Sequence, residues 1–345
     1  MGENVDTRLI FITADDRTGS LEIGGIIASE ESTVPVGPLA DDRRCCVVDV
    51  ASRHIEPEQA LLRVLDAHQK HASFHSHKMD AGLRGNWPYE IHALVELGYR
   101  VAVVPSFPDA GRRCKDGIVY IQDVPVLDSP FGADPLTAPC SSKPIEVLEE
   151  ANCIFEEVVI WDANDNAELH RATRRSLDEN RIVVGPAGAV GSYASHILGK
   201  SKPASFHLSR PVLVVCGSLN ATSREQLDRL DCDRLQLDDP IPDFDDVRVV
   251  ATPMPSGDIT NTMAEAMAQR IAGFLNDTSV DIATLVIVGG DTVAACVGDQ
   301  TLQVIGTVEA GIPVSRYRDS LLITKGGGIG TVESLRNIVE RAQET

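Results

Sequence analysis

The feature that most constrains the fold lies near the start of the chain, where a short apolar run ends in two adjacent aspartates. The run covers residues 10–14, and Asp15 and Asp16 are followed by the turn residues Thr18 and Gly19. Short β-branched runs are typical of buried parallel strands, and α/β enzymes bind ligands at the carboxyl ends of such strands. Adjacent side chains of an extended chain point to opposite faces, so we expect different roles for the two carboxylates. Asp is also a favoured helix N-cap residue, which makes a purely structural cap the alternative.

Alternating apolar runs and helical patterns extend this strand into an α/β domain. The strands predicted for the first half of the chain are Leu9–Thr13, Cys46–Val50, Val101–Pro105, Val158–Trp161 and Ile182–Gly185. The spacing of apolar residues predicts helices at Glu56–Lys70, Tyr89–Gly98 and Asn166–Leu177. Residues 106–144 are rich in Pro, Gly, Asp and Ser, which predicts a functional loop excursion with a strand or hairpin at Gly117–Val126.

The same pattern restarts after a predicted linker at residues 200–204. The strands predicted beyond it are Pro211–Val215, Val247–Thr252, Thr284–Val288 and Leu321–Thr324. The sequence therefore predicts an α/β fold with two domains, residues 1–205 and 206–345, each a mostly parallel sheet with flanking helices. We expect the active site in the cleft between them.

Charge and composition exclude several classes of function. The 345 residues include 51 Asp and Glu against 31 Lys and Arg, giving a formal net charge of −20. So acidic a surface repels phosphate backbones, which argues against nucleic-acid binding. No apolar run approaches the roughly 18 residues of a membrane-spanning helix, and the N-terminal residues show no secretory pattern, so no membrane partner is expected. Eight cysteines without a C-x-x-C pair indicate reduced thiols and a cytoplasmic location.

Three predicted strands of the second domain run into small or Gly-rich turns. The turns are Gly217-Ser218, Gly289-Gly290-Asp291-Thr292 and Lys325-Gly326-Gly327-Gly328-Ile329-Gly330. Backbone N–H groups converge at such turns, and helix N-termini add positive potential, so we expect this domain to bind phosphate groups. Neither the P-loop nor the dinucleotide-binding fingerprint is present.

A set of polar and charged residues in the first domain supplies the cations that an anionic substrate needs. The candidate substrate-binding residues are Arg53, Lys78, Asp80, Arg84, Gly85 and Asn86. An Arg side chain can hold a carboxylate through two parallel hydrogen bonds, and Lys adds a point charge. The alternative interpretation is a set of surface salt bridges.

Three nearby histidines, His71, His75 and His77, raise a metal hypothesis. His75 and His77 would face the same side of a strand, but a catalytic zinc usually takes three protein ligands and no further Cys or His follows nearby. We therefore expect no metal held by the protein alone, and histidines satisfied at a strand edge.

In combination, these motifs resemble the four-carbon acid sugar kinases, which have an N-terminal sugar-acid-binding domain and a C-terminal nucleotide-binding domain. The resemblance extends over nearly the whole chain. It rests on Ala14-Asp15-Asp16, Thr18-Gly19, Ser52-Arg53, Lys78, Asp80, Leu83-Arg84-Gly85-Asn86, Phe107-Pro108, Gly111-Arg112, Ala187-Gly188 and the three glycine turns.

The resemblance implies an ATP-dependent kinase that phosphorylates the terminal hydroxyl of an acid such as threonate, erythronate or a 3-oxo-tetronate. It implies that Asp15, Asp16 and the candidate substrate-binding residues line the acid site, and that the three glycine turns hold ATP. We expect Asp16 to act as the base and Asp15 to hold substrate hydroxyls, with the reverse assignment open. Mg²⁺ would neutralise the phosphates, with Asp291 contacting it directly or through water.

Three departures from the family pattern leave the identity of the substrate open. Ala81-Gly82 stand where the family has Ser-Thr, Arg17 replaces an apolar residue, and Leu219-Asn220 replace a small pair. The alternatives are a non-catalytic sugar-acid or nucleotide sensor and a kinase for a different small hydroxy-acid. The expected partners are thus a small anionic sugar acid and ATP. A homo-oligomer is compatible with the sequence, which leaves the oligomeric state open.

Overall fold

The structure is a computed structural model that describes residues 8–42, 44–134, 137–199, 202–232, 234–237, 241–254, 261–277 and 280–343. The chain divides into two compact units. Unit 1 comprises Met1–Ile27 and Val34–Ser201, and unit 2 comprises Ala28–Thr33 and Lys202–Thr345. The early segment Ala28–Thr33 thus belongs to unit 2, whereas the predicted boundary between residues 205 and 206 assigns this segment to the first domain. Residues 200 and 201 of the predicted linker lie outside the described residues.

Unit 1 is built on a parallel sheet whose strands run in the order β2-β3-β1-β4-β10-β5-β9. Its strands are β1 (Arg8–Ala14), β2 (Val34–Val36), β3 (Cys45–Asp49), β4 (Ala72–Lys78), β5 (Val101–Val103), β9 (Val158–Ile160) and β10 (Ile182–Gly185). The central strands are almost wholly buried, because helices cover both faces of a parallel sheet.

Six helices pack around this sheet, and a small antiparallel sheet lies within the same unit. The helices are α1 (Arg17–Ile27), α2 (Pro57–Ala67), α3 (Trp87–Glu96), α4 (Pro144–Glu150), α5 (Asn166–Asp178) and α6 (Ala187–Leu198). The small sheet consists of β6 (Arg112–Lys115), β7 (Ile118–Ile121) and β8 (Val124–Pro125). A core that includes Phe11, Trp87 and Ile91 joins the faces of β1 and α3.

Unit 2 combines parallel and antiparallel strands in the order β12-β13-β11-β14-β17-β16-β15. The strands are β11 (Val212–Cys216), β12 (Arg234–Leu235), β13 (Val247–Ala251), β14 (Thr284–Val288), β15 (Leu302–Glu309), β16 (Ile312–Tyr317) and β17 (Ser320–Lys325). The helices are α7 (Ala221–Asp228), α8 (Asn261–Asp277), α9 (Gly290–Val297) and α10 (Ser334–Arg341). Only β15–β16 and β16–β17 pair antiparallel among the described strand pairs of this unit.

The α/β class and the mostly parallel sheets are confirmed, and most predicted elements lie within a few residues of the observed ones. Strands Ile182–Gly185 and Thr284–Val288 have the predicted bounds. The helix predicted from Tyr89 begins two residues earlier, at Trp87, because Pro88 is well suited to a first helical turn. Gly98 follows that helix with φ +84°, as a C-terminal stop requires.

No helix in the described part of the chain is long and apolar enough to cross a membrane. The eight cysteines are all free thiols, and Cys45, Cys46, Cys114, Cys153 and Cys216 are buried.

Candidate functional site

In unit 1 the predicted site residues gather at the carboxyl ends of three adjacent strands. Strand β1 lies between β3 and β4 and is parallel to both. The chain runs to one side of β1 through β3 and then to the other side through β4. A reversal of this kind opens a crevice at the carboxyl edge of the sheet, where ligands of α/β proteins bind.

Arg53 is bound to both aspartates through both edges of its guanidinium group. Its Nε and Nη2 donate to the two oxygens of Asp15 at 2.8 and 3.0 Å. Its Nη1 and Nη2 donate to the two oxygens of Asp16 at 2.9 and 2.7 Å. Paired hydrogen bonds of this type fix orientation as well as charge, so Arg53 locks the geometry of the Asp15-Asp16 pair.

Lys78, the last residue of β4, bridges the same two carboxylates from the other side. Its Nζ donates to Asp15 Oδ1 at 3.0 Å and to Asp16 Oδ1 at 2.9 Å. We call Asp15, Asp16, Arg53 and Lys78 the β1 cluster. Its two carboxylates and two cations neutralise each other, and all four side chains are largely buried. An anion that enters this site must therefore exchange with the carboxylates for the same donors.

The β1 cluster keeps Asp16 ionised. Burial would raise the pKa of Asp16, but the neighbouring Arg53 and Lys78 together hold that pKa well below its usual range. Asp16 Oδ1 also accepts from the Gly19 backbone N–H at 3.0 Å, as a residue that caps a helix does. The capping and charge-pairing interpretations of Asp16 are thus compatible.

Asp80 and Arg84 form a second group beside the cluster. Asp80 receives Arg84 Nη2 on Oδ1 at 2.8 Å and Arg84 Nε on Oδ2 at 3.0 Å. Arg84 Nη1 donates to Asp134 at 2.7 Å, and its guanidinium lies 4.7 Å from the centre of the Phe131 ring. Because its donors are held by two aspartates, Arg84 forms part of the frame of the site in this structure.

Gly85 and Asn86 shape the loop that carries Arg53. Gly85 has φ +82°, and a Cβ at this position would lie 2.8 Å from Arg53 Cγ. Asn86 Nδ2 donates to the carbonyls of Ser52 and Ile55, each at 2.7 Å. Both residues therefore act on the position of Arg53.

A buried polar network supports the same loop from behind. Thr13 Oγ1 is hydrogen-bonded to His68 Nε2 and to His77 Nδ1, each at 2.7 Å. His77 Nε2 pairs with Glu90 Oε2 at 2.8 Å, and Ser52 Oγ donates to the other oxygen of Glu90. The network thus links β1, β4 and α3 to the residue that precedes Arg53.

The placement of the histidines corrects the expectation of a strand-edge position. His75 and His77 lie on β4, an internal strand between β1 and β10, and both are buried. His75 Nδ1 contacts His68 Nδ1 at 3.0 Å, and its ring packs beside the rings of Phe11 and Tyr99 in the interior. No group of three or more metal-binding side chains occurs among the described residues.

We expect Glu90→Ala to destabilise unit 1 by about 3–4 kcal/mol, because it leaves His77 and Ser52 buried without their partner. Both tryptophans, Trp87 and Trp161, belong to unit 1, so urea unfolding followed by tryptophan fluorescence measures this unit. Glu96→Ala on the same helix is the control, since Glu96 is an exposed partner of His92 and its loss should cost under about 1 kcal/mol. Equal stabilities of the two variants would contradict the structural role of the network.

In unit 2 the three glycine turns meet at the carboxyl ends of β11, β14 and β17, which are adjacent and parallel. A Cβ at Gly217 would overlap Thr292 Oγ1, and a Cβ at Gly327 would lie 2.5 Å from Ser218 Oγ. Gly289 has φ +118° and would bring a Cβ within 3.1 Å of the Ser218 backbone nitrogen. The turns are therefore too close together to carry side chains at these positions.

Lys325 determines how the third turn is folded. It is fully buried, and its Nζ donates to the carbonyls of Gly326 at 2.9 Å, Gly327 at 3.3 Å and Ile329 at 2.8 Å. Burial lowers the pKa of Lys325 to about 8. Because one side chain binds three of its carbonyls, the segment Gly326–Gly330 forms a compact loop. Gly330, at the end of this loop, has φ +85°, a conformation that favours glycine.

Several residues of the unit 1 site were absent from the sequence-based candidates. Asp134, 50 positions from Arg84, and Phe131 both hold its guanidinium group, and Glu90 acts through the buried network. Glu22 of α1 lies in the electric field of Lys78, Asp16, Arg112 and Arg53.

Known proteins are similar to this chain in sequence and in fold. Residues 10–153 match the family described as the sugar-binding N-terminal domain. A D-threonate kinase of Cupriavidus necator is 27% identical over 257 residues, which cover 63% of this chain and 62% of that protein. A D-threonate kinase of Salmonella typhimurium is 24% identical over 262 residues, covering 65% and 61%. The aligned part of the chain thus spans about three fifths of the length of these curated relatives.

A solved structure agrees with the fold over almost the entire chain. A Haemophilus influenzae protein superposes with a TM-score of 0.67 at 18% identity, covering 95% of this chain and 98% of the other. At this identity the likeness concerns the fold alone. The matched domain and the kinase relatives support the resemblance of this chain to the four-carbon acid sugar kinases.

Proposed function

We propose that the protein is an ATP-dependent kinase that phosphorylates the terminal hydroxyl of a small, four-carbon-like sugar acid. The observation that carries the proposal is the β1 cluster, which brings two carboxylates and two cations together at the carboxyl edge of a parallel sheet. Sugar acids need both kinds of group, because carboxylates accept from hydroxyls while Arg and Lys bind the acid.

On the acceptor side, Arg53 and Lys78 bind the carboxylate of the substrate and Asp15 accepts from its hydroxyls. Asp80 and Arg84 frame the site, while Gly85 and Asn86 position Arg53. The carboxylate of the substrate replaces Asp15 and Asp16 as the acceptor for some of the N–H groups of Arg53 and Lys78. Binding therefore leaves the number of charge-assisted hydrogen bonds in the site nearly constant.

On the nucleotide side, the phosphates of ATP bind at the turns that contain Ser218, Gly289–Thr292 and Gly326–Gly330. The glycines fit this role because a Cβ at residue 217 or 327 would overlap the neighbouring turn, so only glycine lets the three turns approach one another closely enough to share a ligand. The first backbone N–H groups of α9 have no partner within the helix and face a site for anions.

The described residues include no carboxylate cage for a metal ion, and the exposed Asp291 is the acidic side chain of the α9 turn. A single acidic side chain of this kind fits an Mg²⁺ ion that is bound mainly by the phosphates of ATP, with Asp291 as a protein ligand directly or through water. When bound, Mg²⁺ supplies charge neutralisation on the transferred phosphoryl group. The chain itself contributes positioning of the acceptor and of the nucleotide, which account for most of the catalysis in such transfers.

A kinase for a different small hydroxy-acid is the second candidate, and one contact favours it. The Phe131 ring occupies the space of a side chain at residue 82, since a Cβ there would lie 2.6 Å from Phe131 Cγ. A ring stands where the family resemblance implies a hydroxyl group. The site consequently offers its substrate an apolar surface at this point, which favours an acid with one polar group fewer.

A coupled assay of ADP release across aldonic acids with three to six carbons tests the proposal. We expect one or a few acids to accelerate ADP release at least about 100-fold over the rate without acid, since positioning of the acceptor is the main catalytic contribution. Binding of an acid that raises the melting temperature without any ADP release would support the sensor instead. A cytoplasmic location and a homo-oligomeric state stay predictions.

A further inference from the structure

Lys325 uses all of its hydrogen-bond donors within its own loop. Its Nζ donates to the carbonyls of Gly326, Gly327 and Ile329 at 2.9, 3.3 and 2.8 Å, and the side chain is fully buried. An ammonium group has three N–H donors, and each of these carbonyls takes one of them. A phosphate oxygen that bound directly to Nζ would have to displace one of the carbonyls. Lys325 therefore acts on the backbone of the loop in this structure.

The same contacts set the direction of the backbone amides in the loop. In a trans peptide the carbonyl and the N–H of the following residue point in opposite directions. The N–H groups of Gly327, Gly328 and Gly330 follow the three bound carbonyls along the chain, so they point away from the Lys325 ammonium group. Backbone N–H groups that point to one side of a turn form a concave site for anions.

Helix α7 holds this loop through two further contacts. Ser223 Oγ donates to the Gly327 carbonyl at 2.6 Å, and Gln226 Nε2 donates to the Ile329 carbonyl at 3.2 Å. Both side chains are fully buried. A Cβ at residue 327 would lie 2.5 Å from Ser218 Oγ, so the loop borders the first glycine turn. The loop is thus fixed at the place where the glycine turns meet.

The three carbonyl contacts require the charged form of Lys325. A neutral amine has only two N–H groups, and its lone pair would face the third carbonyl. Burial lowers the pKa of Lys325 to about 8, with Cys216 on β11 and Glu309 on β15 opposing the fall. Of the elements that pack against β17, β14 carries no titratable group. The charged and titratable groups on the other elements around the loop are Arg316 and Tyr317 on β16, Asp291 and Cys296 on α9, and Arg224, Glu225 and Asp228 on α7.

We propose that Lys325 is a positioning residue for the nucleotide, whose ammonium group directs the loop amides toward the phosphates of ATP without touching them. ATP binding is then coupled to the protonation of Lys325, because only the charged form binds all three carbonyls. The inference rests on the proposed function, since it takes ATP to bind at the glycine turns. It differs from the sequence-based interpretation, which counted Lys325 among the residues that contact ATP.

Calorimetric titration of the protein with ATP and Mg²⁺ at several pH values tests this coupling. The affinity should change little below about pH 7 and fall as the pH rises. At pH 9 it should be about a tenth of its value at pH 7, because about a tenth of the free protein then carries the charge on Lys325. At pH 8.5, titrations in two buffers of different ionisation enthalpy should show the uptake of about half a proton or more per ATP bound.

Substitutions assign this proton to Lys325. Lys325→Met should lower the affinity for ATP at least about 100-fold, because more than one amide loses its orientation toward the phosphates. Lys325→Arg carries a charge that does not titrate in this pH range, so it should restore part of the affinity without proton uptake. Lys202→Met is the matched control, since Lys202 is an exposed partner of Glu30 in the same unit, and both its affinity and its proton uptake should equal those of the unmodified protein.

ATP binding without proton uptake in the unmodified protein would overturn the proposal, and so would uptake that persists in Lys325→Arg. Both outcomes leave the kinase function intact. Absence of ATP binding at every pH would instead refute the proposed function, and this inference with it. The measurement on the unmodified protein requires no substitution, so it remains decisive where a variant fails to fold.

Discussion

Replacing Asp16 by alanine is expected to abolish turnover while leaving the affinity for ATP nearly unchanged. The substitution removes four hydrogen bonds at once and leaves the buried Arg53 and Lys78 with Asp15 as the one carboxylate they share, while Asp80 lies 3.6 Å from Arg53. Removing one partner from a buried ion-pair group typically costs 3–5 kcal/mol, and misplacement of positioning groups adds to this. We therefore expect a loss in kcat/KM on the order of 10³-fold or more.

The measurement pairs steady-state kinetics with calorimetric titration of ATP. Asp66→Ala is the control, because Asp66 is an exposed aspartate on α2 of the same unit, and its kinetics should change less than about twofold. An Asp16→Ala protein with more than a tenth of the original kcat/KM would contradict the role of the β1 cluster. A parallel loss of ATP affinity would mean that the substitution acts on more than the acceptor site.

The Gly217→Ala substitution in unit 2 is expected to weaken the binding of ATP and to leave the binding of the acid unchanged. A Cβ at this position overlaps Thr292 Oγ1 and lies 2.8 Å from Ile271 Cδ1. Thr292 is buried and stiff about its Cα–Cβ bond, so the overlap must be relieved by moving the first turn of α9. Losing one hydrogen bond to a charged phosphate costs about 1.5–3 kcal/mol, so we expect the affinity for ATP to fall about 10- to 100-fold.

Gly273→Ala provides the matched control for this substitution. It lies on α8 of the same unit, and a Cβ there would meet no atom within 4 Å. Calorimetry should therefore find unchanged ATP binding in Gly273→Ala, and unchanged acid binding in both variants. Normal ATP affinity in Gly217→Ala would argue against phosphate binding at the glycine turns.

Much of the fold follows from local patterns in the sequence, because buried parallel strands must be short and rich in β-branched residues. The apolar run before Asp15 and the Thr284–Val288 strand show this directly. The antiparallel strand β15 was not predicted, although the alternate burial of residues such as Leu302, Val304 and Gly306 gives it the expected period of two. Polar residues between the buried ones gave this segment the appearance of a loop in the sequence.

Several residues of the candidate site could be predicted from the sequence, but the contacts between them could not. Strand ends indicated Asp15, Asp16 and Arg53, because the carboxyl ends of parallel strands meet at one edge of the sheet. The contacts of Arg84 with Asp134, and of Glu90 with Ser52, join residues 50 and 38 positions apart, and local spacing carries no information about such pairs.

The central claim is that the phosphoryl group of ATP is transferred to the terminal hydroxyl of a sugar acid. Phosphorus NMR of the complete reaction mixture, recorded with proton coupling, tests it most directly. The account predicts a phosphate monoester signal split by two protons of a terminal CH₂ group, appearing together with ADP and only when the acid is present. ATP converted to ADP and inorganic phosphate, with no monoester, would contradict the account.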